Sequence, residues 1–282
     1  MAPQANFPGP LTADDVDQVI EIAQEAGEAI LEIYEGTEDV EIDRKADDSP
    51  LTEADMASHR CIVEGLTRLP VDIPILSEES TDEFSASTRT SWSRHWLVDP
   101  LDGTKEFVKH NDEFTVNIAL VEDDTPVIGV VHVPVDDRTF VAVPTEDPYV
   151  LGDGTRHVLE AEPPGPEEAV KVVVSRSHLN EATETYVDRI EQAGREVDLV
   201  PAGSSLKFCR IAEGRAHLYP RLAPTMEWDT AAAHAVLEAA GGTIVETDER
   251  QPLTDEPLTY NKENLTNPYF VAAAAPELLR VG

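Results

Sequence analysis

The stretch of the chain with the clearest chemical content carries two carboxylates beside a proline and a glycine. It covers residues 99–104 and reads DPLDGT. A strand that ends at Asp99, followed by a turn at the proline and the glycine, would bring Asp99 and Asp102 onto one side with the carbonyl of Leu101. Carboxylate and carbonyl oxygens are the ligands that Mg²⁺ prefers. This spacing therefore predicts half of a magnesium coordination shell.

The same stretch also has the features of a phosphate site. Gly103 permits a close backbone approach, and the amides of Gly103 and Thr104 lie at the predicted start of a helix, where anions bind. Taken alone, the stretch also has a structural explanation, because Asp and Gly are common turn residues. Metal-assisted phosphate chemistry and a structural turn are both open at this point.

The charge of the chain limits its partners. The 282 residues carry a formal net charge of -35, from 56 acidic and 21 basic residues. Such a surface repels nucleic acid polymers and anionic membranes, so a small anionic substrate in a locally positive pocket is the better candidate. Only six of the basic residues are lysines, and this balance resembles that of proteins from salt-loving organisms, where salt screens self-repulsion. We therefore expect a halophilic source, with an ordinary acidic cytosolic enzyme as the alternative.

Nothing in the sequence predicts export or a membrane anchor. No run approaches the roughly 18 apolar residues of a membrane helix, and residues 1–10 lack the basic start and apolar core of a secretory signal. Their proline and glycine residues favour a flexible arm. Cys61 and Cys209 lie far apart, without the spacing of a zinc site, so we expect two buried thiols. These features predict a cytoplasmic protein.

Two helices are predicted at the start of the chain. Apolar residues recur at helical spacing from Thr12 to about Tyr34, and a second helix capped by Thr52 runs to about Leu69. Asp55 therefore falls in the first turn of the second helix. Acidic residues are favoured there by the helix dipole alone, so Asp55 by itself is weak evidence for a site.

Strands are predicted to deliver the remaining acidic residues of this half. Short buried strands over residues 72–77 and 95–98 place Glu78 and Asp99 just past strand ends. An antiparallel meander follows, because the next segments alternate or run apolar between turn residues. Its strands are predicted over residues 114–121, 127–133 and 139–143.

A passage rich in Pro, Gly and Glu over residues 160–168 is the best candidate for a boundary. After it, strands and helices alternate, which predicts an α/β half. The strands are expected near residues 170–175, 196–200, 216–219, 243–246 and 269–274, and the helices near 179–193, 204–213 and 229–240. We divide the chain into an α+β metal-binding half, 11–162, and an α/β half, 163–282, that completes the active site within one compact unit.

Four motifs, in this order, make the chain resemble the inositol monophosphatase superfamily. They are PLTEAD at 50–55, SEE at 77–79, WLVDPLDGT at 96–104 and EWDTAA at 227–232. The resemblance covers roughly residues 11 to 275. It implies a layered α-β-α-β-α sandwich of the inositol monophosphatase and fructose bisphosphatase type, and lithium-sensitive, Mg²⁺-dependent phosphatase activity. Five further segments resemble the bacterial 3′(2′),5′-bisphosphate nucleotidases, namely 101–107, 111–120, 175–178, 203–209 and 218–221.

The resemblance implies two to three Mg²⁺ ions and names their ligands. These are Glu78, Asp99 and the Leu101 carbonyl for the first ion, Asp99, Asp102 and Asp229 for the second, and Asp55 with Glu78 for a weaker third. Thr104, hydrogen-bonded to Asp55, would orient the attacking water, and Glu78 would help to take its proton. Without cations the converging carboxylates would repel one another and take up protons, which independently favours bound divalent ions.

The resemblance also implies how a nucleotide is recognised. Ser204, Lys207 and Arg221 would grip its second phosphate, since a guanidinium can bind two phosphate oxygens at once. The other implied substrate contacts are Gly103, Thr104 and Asp229 at the reacting phosphate and His178 near the base or ribose. A plain alternative for Lys207 is that it lies on a helix face and pairs with a surface acid.

Together these features predict a phosphatase that converts adenosine 3′,5′-bisphosphate to AMP, in sulfur metabolism, with the sulfated precursor of that nucleotide as a further candidate substrate. The nearest rivals act on inositol monophosphate or fructose bisphosphate. A rival of another class is a non-catalytic regulator that binds anions or metals, because a fold alone does not give a function. Monomer and homodimer are both open.

Overall fold

The computed structural model describes residues 11–36, 42–44, 50–176, 180–247 and 256–280. The arm expected over residues 1–10 lies outside these described residues. Within them the helices and strands build two large sheets with helices on their faces, and one separate two-stranded hairpin.

The two helices predicted near the start of the chain are present, and each begins with the same cap. α1 spans Ala13–Gly36 and α2 spans Glu53–Thr67. At α2 the Thr52 hydroxyl accepts a hydrogen bond from the Asp55 amide at 3.4 Å, while the Asp55 carboxylate accepts one from the Thr52 amide at 2.8 Å. Thr12 and Asp15 repeat this capping box at α1. A short hairpin of β1 (Ile42–Arg44) and β2 (Pro50–Thr52) lies between the helices.

Seven consecutive strands form the larger sheet. They are β3 (Ile75–Ser77), β4 (Arg94–Asp102), β5 (Thr115–Glu122), β6 (Thr125–Val133), β7 (Arg138–Val143), β8 (Glu146–Gly152) and β9 (Thr155–Val158). Neighbours in the chain are neighbours in the sheet, and only β3 and β4 pair in parallel. The predicted meander is confirmed. β8 and β9 lack a regular apolar alternation, so the sequence did not predict them.

Both faces of the larger sheet are buried, which explains its continuous apolar runs. Along β4, Trp96 and Val98 pack in the cluster that contains α1 and α2, whereas Leu97 packs in the cluster that contains the second half of the chain. Successive side chains on a strand point to opposite faces. On β5 the same alternation turns Asn117 toward the second half, where it contacts Ser205.

The second half of the chain builds a smaller, mixed sheet. Its strands are β10 (Val170–Ser175), β11 (Val197–Ala202), β12 (Leu218–Arg221), β13 (Thr243–Thr247) and β14 (Tyr269–Ala273), in the order β11-β10-β12-β14-β13. Two short helices, α3 (Ala86–Arg89) and α4 (Thr104–Val108), belong to the first half, and the helices of the second half are α5 (Glu181–Gln192), α6 (Leu206–Ala212) and α7 (Ala231–Ala239). α6 and α7 lie between the two sheets, and α5 packs on β11 and β12. This order of layers is the expected α-β-α-β-α sandwich.

A glycine on β6 sets how closely the two halves approach. A Cβ atom on Gly129 would lie 2.2 Å from the carbonyl oxygen of Ala232 and 2.9 Å from the Cβ of Ala235. No larger residue fits, so α7 rests directly on the larger sheet. Because α7 begins just after Asp229, this contact sets the position of Asp229 relative to the larger sheet.

The expectation of two buried thiols holds for one of the two cysteines. Cys209 is buried as predicted, but Cys61 is only half-buried because it lies at the edge of the α1 cluster.

In the described part of the chain, no helix combines the length and the apolar character needed to cross a bilayer.

Candidate active site

Asp99 to Asp102 of the DPLDGT stretch lie within β4, and Gly103 and Thr104 follow it. Asp99 pairs with Asn117 and Asp102 pairs with Thr115, so three steps on β4 match two steps on β5. The prediction that Asp99 follows a strand end is therefore wrong. In a regular strand, residues three apart point to opposite faces. The bulge absorbs one residue and turns Asp99 and Asp102 to the same side.

The turn after the bulge begins a short helix, α4, which spans Thr104–Val108. Gly103 precedes it with a φ of 94°, a left-handed conformation that favours glycine. The Thr104 hydroxyl lies 3.4 Å from Asp55 Oδ1 and 3.4 Å from the Leu101 carbonyl oxygen, and its single proton can serve only one of them at a time. The expected contact between Thr104 and Asp55 is present but long.

An open cavity of about 580 Å³ lies over the bulge. It joins the end of β4 to the start of α6, the end of β12 and the start of α7. The cavity gathers most of the site residues expected from the sequence. Those that line it are Glu78, Asp99, Leu101, Asp102, Gly103, Thr104, Ser204, Lys207, Arg221 and Asp229.

Among the expected site residues that the structure describes, Asp55 does not line this cavity. Asp55 is 1% exposed and lies behind Thr104, where its Oδ2 accepts hydrogen bonds from the amide and the hydroxyl of Thr52. Its role as a direct ligand of a third ion stays a prediction. His178 lies outside the described residues.

The carboxylates that meet in the cavity are crowded. Burial raises the pKa of Asp102, and the positive charge of Lys207 opposes that shift. Burial also raises the pKa of Asp229, and the neighbouring charges of Asp102 and Glu78 raise it further. Acids that repel one another in this way are stabilised by a cation placed between them.

The donor atoms fit magnesium. In the residues that the structure describes, no group of three or more His, Cys, Asp or Glu side chains could hold a metal ion alone. Mg²⁺ usually needs less, because one or two carboxylates suffice when waters and substrate phosphate complete the shell. Asp99, Asp102 and the Leu101 carbonyl supply hard oxygen donors of this kind.

Two cationic side chains, those of Lys207 and Arg221, line the same cavity as the carboxylates. Lys207 is 8% exposed, and its Nζ donates to the Ser204 carbonyl oxygen at 2.8 Å and lies 5.6 Å from the ring centroid of Tyr219. The alternative of an exposed lysine paired with a surface acid is therefore wrong. Arg221 donates from Nη2 to the Pro224 carbonyl oxygen at 2.8 Å, and its buried Nε has no hydrogen-bond partner among the described residues.

The sequence did not single out several residues that line this cavity or lie directly behind its lining. Lys105 lines the cavity from α4 and Lys109 from the residue just after α4, so three of the five lysines in the described residues face one site. The scarcity of lysine in an acidic chain was the signal that could have found them. Ser205 was missed because its role is a contact with Asp102, to which its Oγ donates at 2.8 Å. The lining is completed by Glu106, Ser175, Gly203, Phe208, Tyr219, Thr225 and Thr230.

Comparison with known proteins gives a consistent result. The inositol monophosphatase family profile matches residues 13–278. The chain is 44% identical over 259 residues to the 3′(2′),5′-bisphosphate nucleotidase CysQ of Escherichia coli (strain K12), covering 90% of this chain and 98% of that protein. It is 48% identical over 232 residues to the CysQ nucleotidase of Salmonella typhimurium, covering 81% of this chain and 89% of the relative.

A solved structure shows a similar fold. The crystal structure of CysQ from Bacteroides thetaiotaomicron, described as a bacterial member of the inositol monophosphatase family, superposes with a TM-score of 0.78 at 42% identity. The match covers 92% of this chain and 97% of that chain. The similarity therefore includes both large sheets.

Proposed function

The chain belongs to the inositol monophosphatase family, and we propose that it is a Mg²⁺-dependent phosphatase that hydrolyses adenosine 3′,5′-bisphosphate at the 3′-phosphate. The products are AMP and phosphate. The proposal draws its substrate from relatives at 44 and 48% identity, which are named as 3′(2′),5′-bisphosphate nucleotidases. Their alignments cover most of both chains, so a shared activity is a sound expectation.

The observation that carries the proposal is that one cavity gathers both crowded carboxylates and cations. Asp102 and Asp229 are the crowded carboxylates, and the metal and the reacting phosphate are assigned to them. Lys207 and Arg221 line the same cavity, in a chain whose net charge is -35. A substrate with two phosphate groups can use both, since one group meets the bound metal and the other meets these side chains.

The residues around the bulge prepare the hydrolytic step. Magnesium, when bound, neutralises phosphate charge, acidifies a water and stabilises the leaving oxygen. The Asp99 carboxylate is held by a hydrogen bond from the Leu101 amide at 3.1 Å. Thr104, by donating its proton to Asp55, keeps its lone pairs turned to accept from a water, and Glu78 is the cavity residue placed to take the proton of that water.

The second phosphate is assigned to Ser204, Lys207 and Arg221. Arg221 presents a fixed fork of donors, and its buried Nε still needs an acceptor. Inositol monophosphate has no second phosphate for these three residues to bind, which disfavours inositol monophosphatase activity. Fructose bisphosphate carries two phosphates, so a direct comparison of rates must separate it from the nucleotide.

Several finer features belong to the proposal. We infer two to three Mg²⁺ ions per site, inhibition by lithium and a cytoplasmic location. The sulfated precursor of the bisphosphate is a second candidate substrate. A non-catalytic role is disfavoured, because the residues expected at the reacting phosphate all line the cavity.

A substrate panel in high salt tests the proposal. Phosphate release is measured from adenosine 3′,5′-bisphosphate, inositol monophosphate and fructose 1,6-bisphosphate, with Mg²⁺ alone, with added Li⁺ and with a chelator. We expect kcat/KM for the nucleotide to exceed that for inositol monophosphate by about ten- to a hundredfold, because losing one paired phosphate contact costs about 1.5–3 kcal/mol. We expect it also to exceed kcat/KM for fructose 1,6-bisphosphate, which keeps two phosphates but lacks the nucleoside. A higher kcat/KM for either rival, or equal release with the chelator, would refute the proposal.

A further inference from the structure

Glu113 lies where three segments of the active site meet. Its side chain is largely buried, and its Oε2 accepts a hydrogen bond from the Gly203 amide at 2.8 Å. The same carboxylate accepts two bonds from Arg176, from Nε at 2.8 Å and from Nη2 at 2.5 Å. Glu113 precedes β5 in the first half, whereas Arg176 and Gly203 belong to the second half.

The backbone of Glu113 is packed as tightly as its side chain. A Cβ on Gly103 would lie 3.0 Å from the Glu113 carbonyl oxygen and 3.3 Å from the Cβ of Ser204. A Cβ on Gly203 would lie 2.9 Å from the same carbonyl oxygen. The two glycine turns, one beside Asp102 and one beside Ser204, therefore meet against one residue.

The backbone turn at Gly203 and Ser204 is strained, so it needs a partner outside the turn to stabilise it. Ser204 has a φ of 42°, a left-handed conformation that costs energy for a residue other than glycine. The Ser204 carbonyl oxygen accepts the hydrogen bond from Lys207 Nζ. The hydrogen bond from the Gly203 amide to Glu113 is therefore one residue away from the strained backbone of Ser204. That backbone orients two polar groups that line the cavity, the side chains of Ser204 and Lys207.

Glu113 itself is not among the residues that line the cavity. Its negative charge is matched by Arg176, with a second guanidinium, that of Arg210, 3.9 Å away. A carboxylate that is paired with an arginine and lies outside the cavity can fix a loop without repelling a phosphate bound in the cavity. This arrangement separates Glu113 from the metal ligands.

We propose that Glu113 is a positioning residue that fixes the Gly203 turn and thereby sets the preference for substrates with a second phosphate. The inference rests on the proposed function, because it assigns the second phosphate to Ser204 and Lys207. Glu113 acts through the loop and touches no reacting atom. Its removal should therefore weaken binding of the second phosphate and leave the metal side unchanged.

Steady-state kinetics of Glu113→Gln test this role. We expect KM for adenosine 3′,5′-bisphosphate to rise about tenfold, since charge-assisted hydrogen bonds are the strong ones. KM for adenosine 3′-monophosphate and the Mg²⁺ concentration at half-maximal rate should change less than about twofold, which is the scale of effects outside the subsite. Equal losses on both nucleotides, or an unchanged KM for the bisphosphate, would overturn the proposal.

Glu122→Gln is the matched control. Glu122 lies at the far end of β5 and also pairs with an arginine, Arg94. It should leave both KM values at the wild-type level. If Glu113→Gln fails to fold, Glu113→Asp keeps the charge with a shorter reach and should give the same direction of change. An unchanged KM for the bisphosphate in that variant would likewise overturn the proposal.

Amide hydrogen exchange separates this inference from the proposed function. The peptide covering residues 203–207 should exchange faster in Glu113→Gln than in the wild type, and not in Glu122→Gln. A wild type that does not hydrolyse the bisphosphate would refute the proposed function, while faster exchange would still show that Glu113 holds the loop. Unchanged exchange would refute the positioning role itself.

Discussion

Ser205 joins the two halves of the chain at Asp102. Its buried hydroxyl donates to Asp102 Oδ2 at 2.8 Å, lies 2.9 Å from the Asp229 carbonyl oxygen, and accepts from Asn117 Nδ2 at 2.9 Å. Asp102 comes from β4 and Asp229 from the segment before α7. A single hydroxyl therefore orients one proposed metal ligand against the backbone of another.

Removing the Ser205 hydroxyl should weaken the binding of magnesium more than the binding of substrate. In Ser205→Ala we expect the Mg²⁺ concentration at half-maximal activity to rise about tenfold, because hydrogen bonds to charged groups contribute about 1.5–3 kcal/mol. Calorimetric titration with Mg²⁺ should show the same shift without substrate. Ser204→Ala is the control, since it should raise KM for the bisphosphate and leave magnesium binding alone. The reverse pattern would contradict the assignment of Ser205.

Arg221→Ala should separate substrates by their number of phosphates. KM for adenosine 3′,5′-bisphosphate is expected to rise about tenfold or more, and that for adenosine 3′-monophosphate less than about twofold, because only the bisphosphate uses the guanidinium. Arg215→Ala, at an exposed arginine in the turn after α6, should change neither value. Equal effects on both substrates would show that Arg221 does not bind the second phosphate.

The elements were largely predictable from the sequence, because apolar periodicity reports burial along a single strand or helix. The caps at Thr12 and Thr52 are local contacts and were predictable for the same reason. The bulge in β4 was not predictable, since it depends on the register with β5. Neither were Glu113 and Ser205, whose partners lie about 90 to 100 residues away along the chain and meet them only when the halves pack.

A buried histidine far from the cavity should make the protein sensitive to acid. Burial lowers the pKa of His95 to about 4, and the charge of Arg89 acts in the same direction. Between the unperturbed pKa of 6.5 and this value, the unfolded chain binds a proton that the folded chain does not. Stability is therefore lost as the pH falls through that window, by about 2 kcal/mol at pH 5.

His95→Leu should remove this part of the acid sensitivity. Neither ring nitrogen of His95 has a hydrogen-bond partner among the described residues, so leucine forfeits no polar contact. Urea unfolding at pH 7.5 and pH 5 measures the change, with His157→Leu at an exposed histidine as the control. If the two variants lose the same free energy of unfolding between these pH values, His95 is not the source.

The net charge of -35 should make the fold depend on salt. At molar KCl the screening length is about 3 Å, whereas at millimolar concentrations the acidic surface repels itself over tens of ångströms. We expect the melting temperature to fall on the order of 10 °C between these conditions, a size that a few kcal/mol produces. A melting temperature independent of KCl would contradict the prediction of a salt-adapted surface.

The most direct test identifies which phosphate leaves the nucleotide. Adenosine 3′,5′-bisphosphate is incubated with Mg²⁺, and the products are resolved by phosphorus NMR for the wild type and for Asp102→Asn, which keeps the side-chain shape and removes its charge. We predict adenosine 5′-phosphate as the sole nucleotide product, and a rate at least about a thousandfold lower in a folded Asp102→Asn, as expected when a charge required at a metal site is lost. Adenosine 3′-phosphate as the product, or near wild-type turnover by Asp102→Asn, would contradict it.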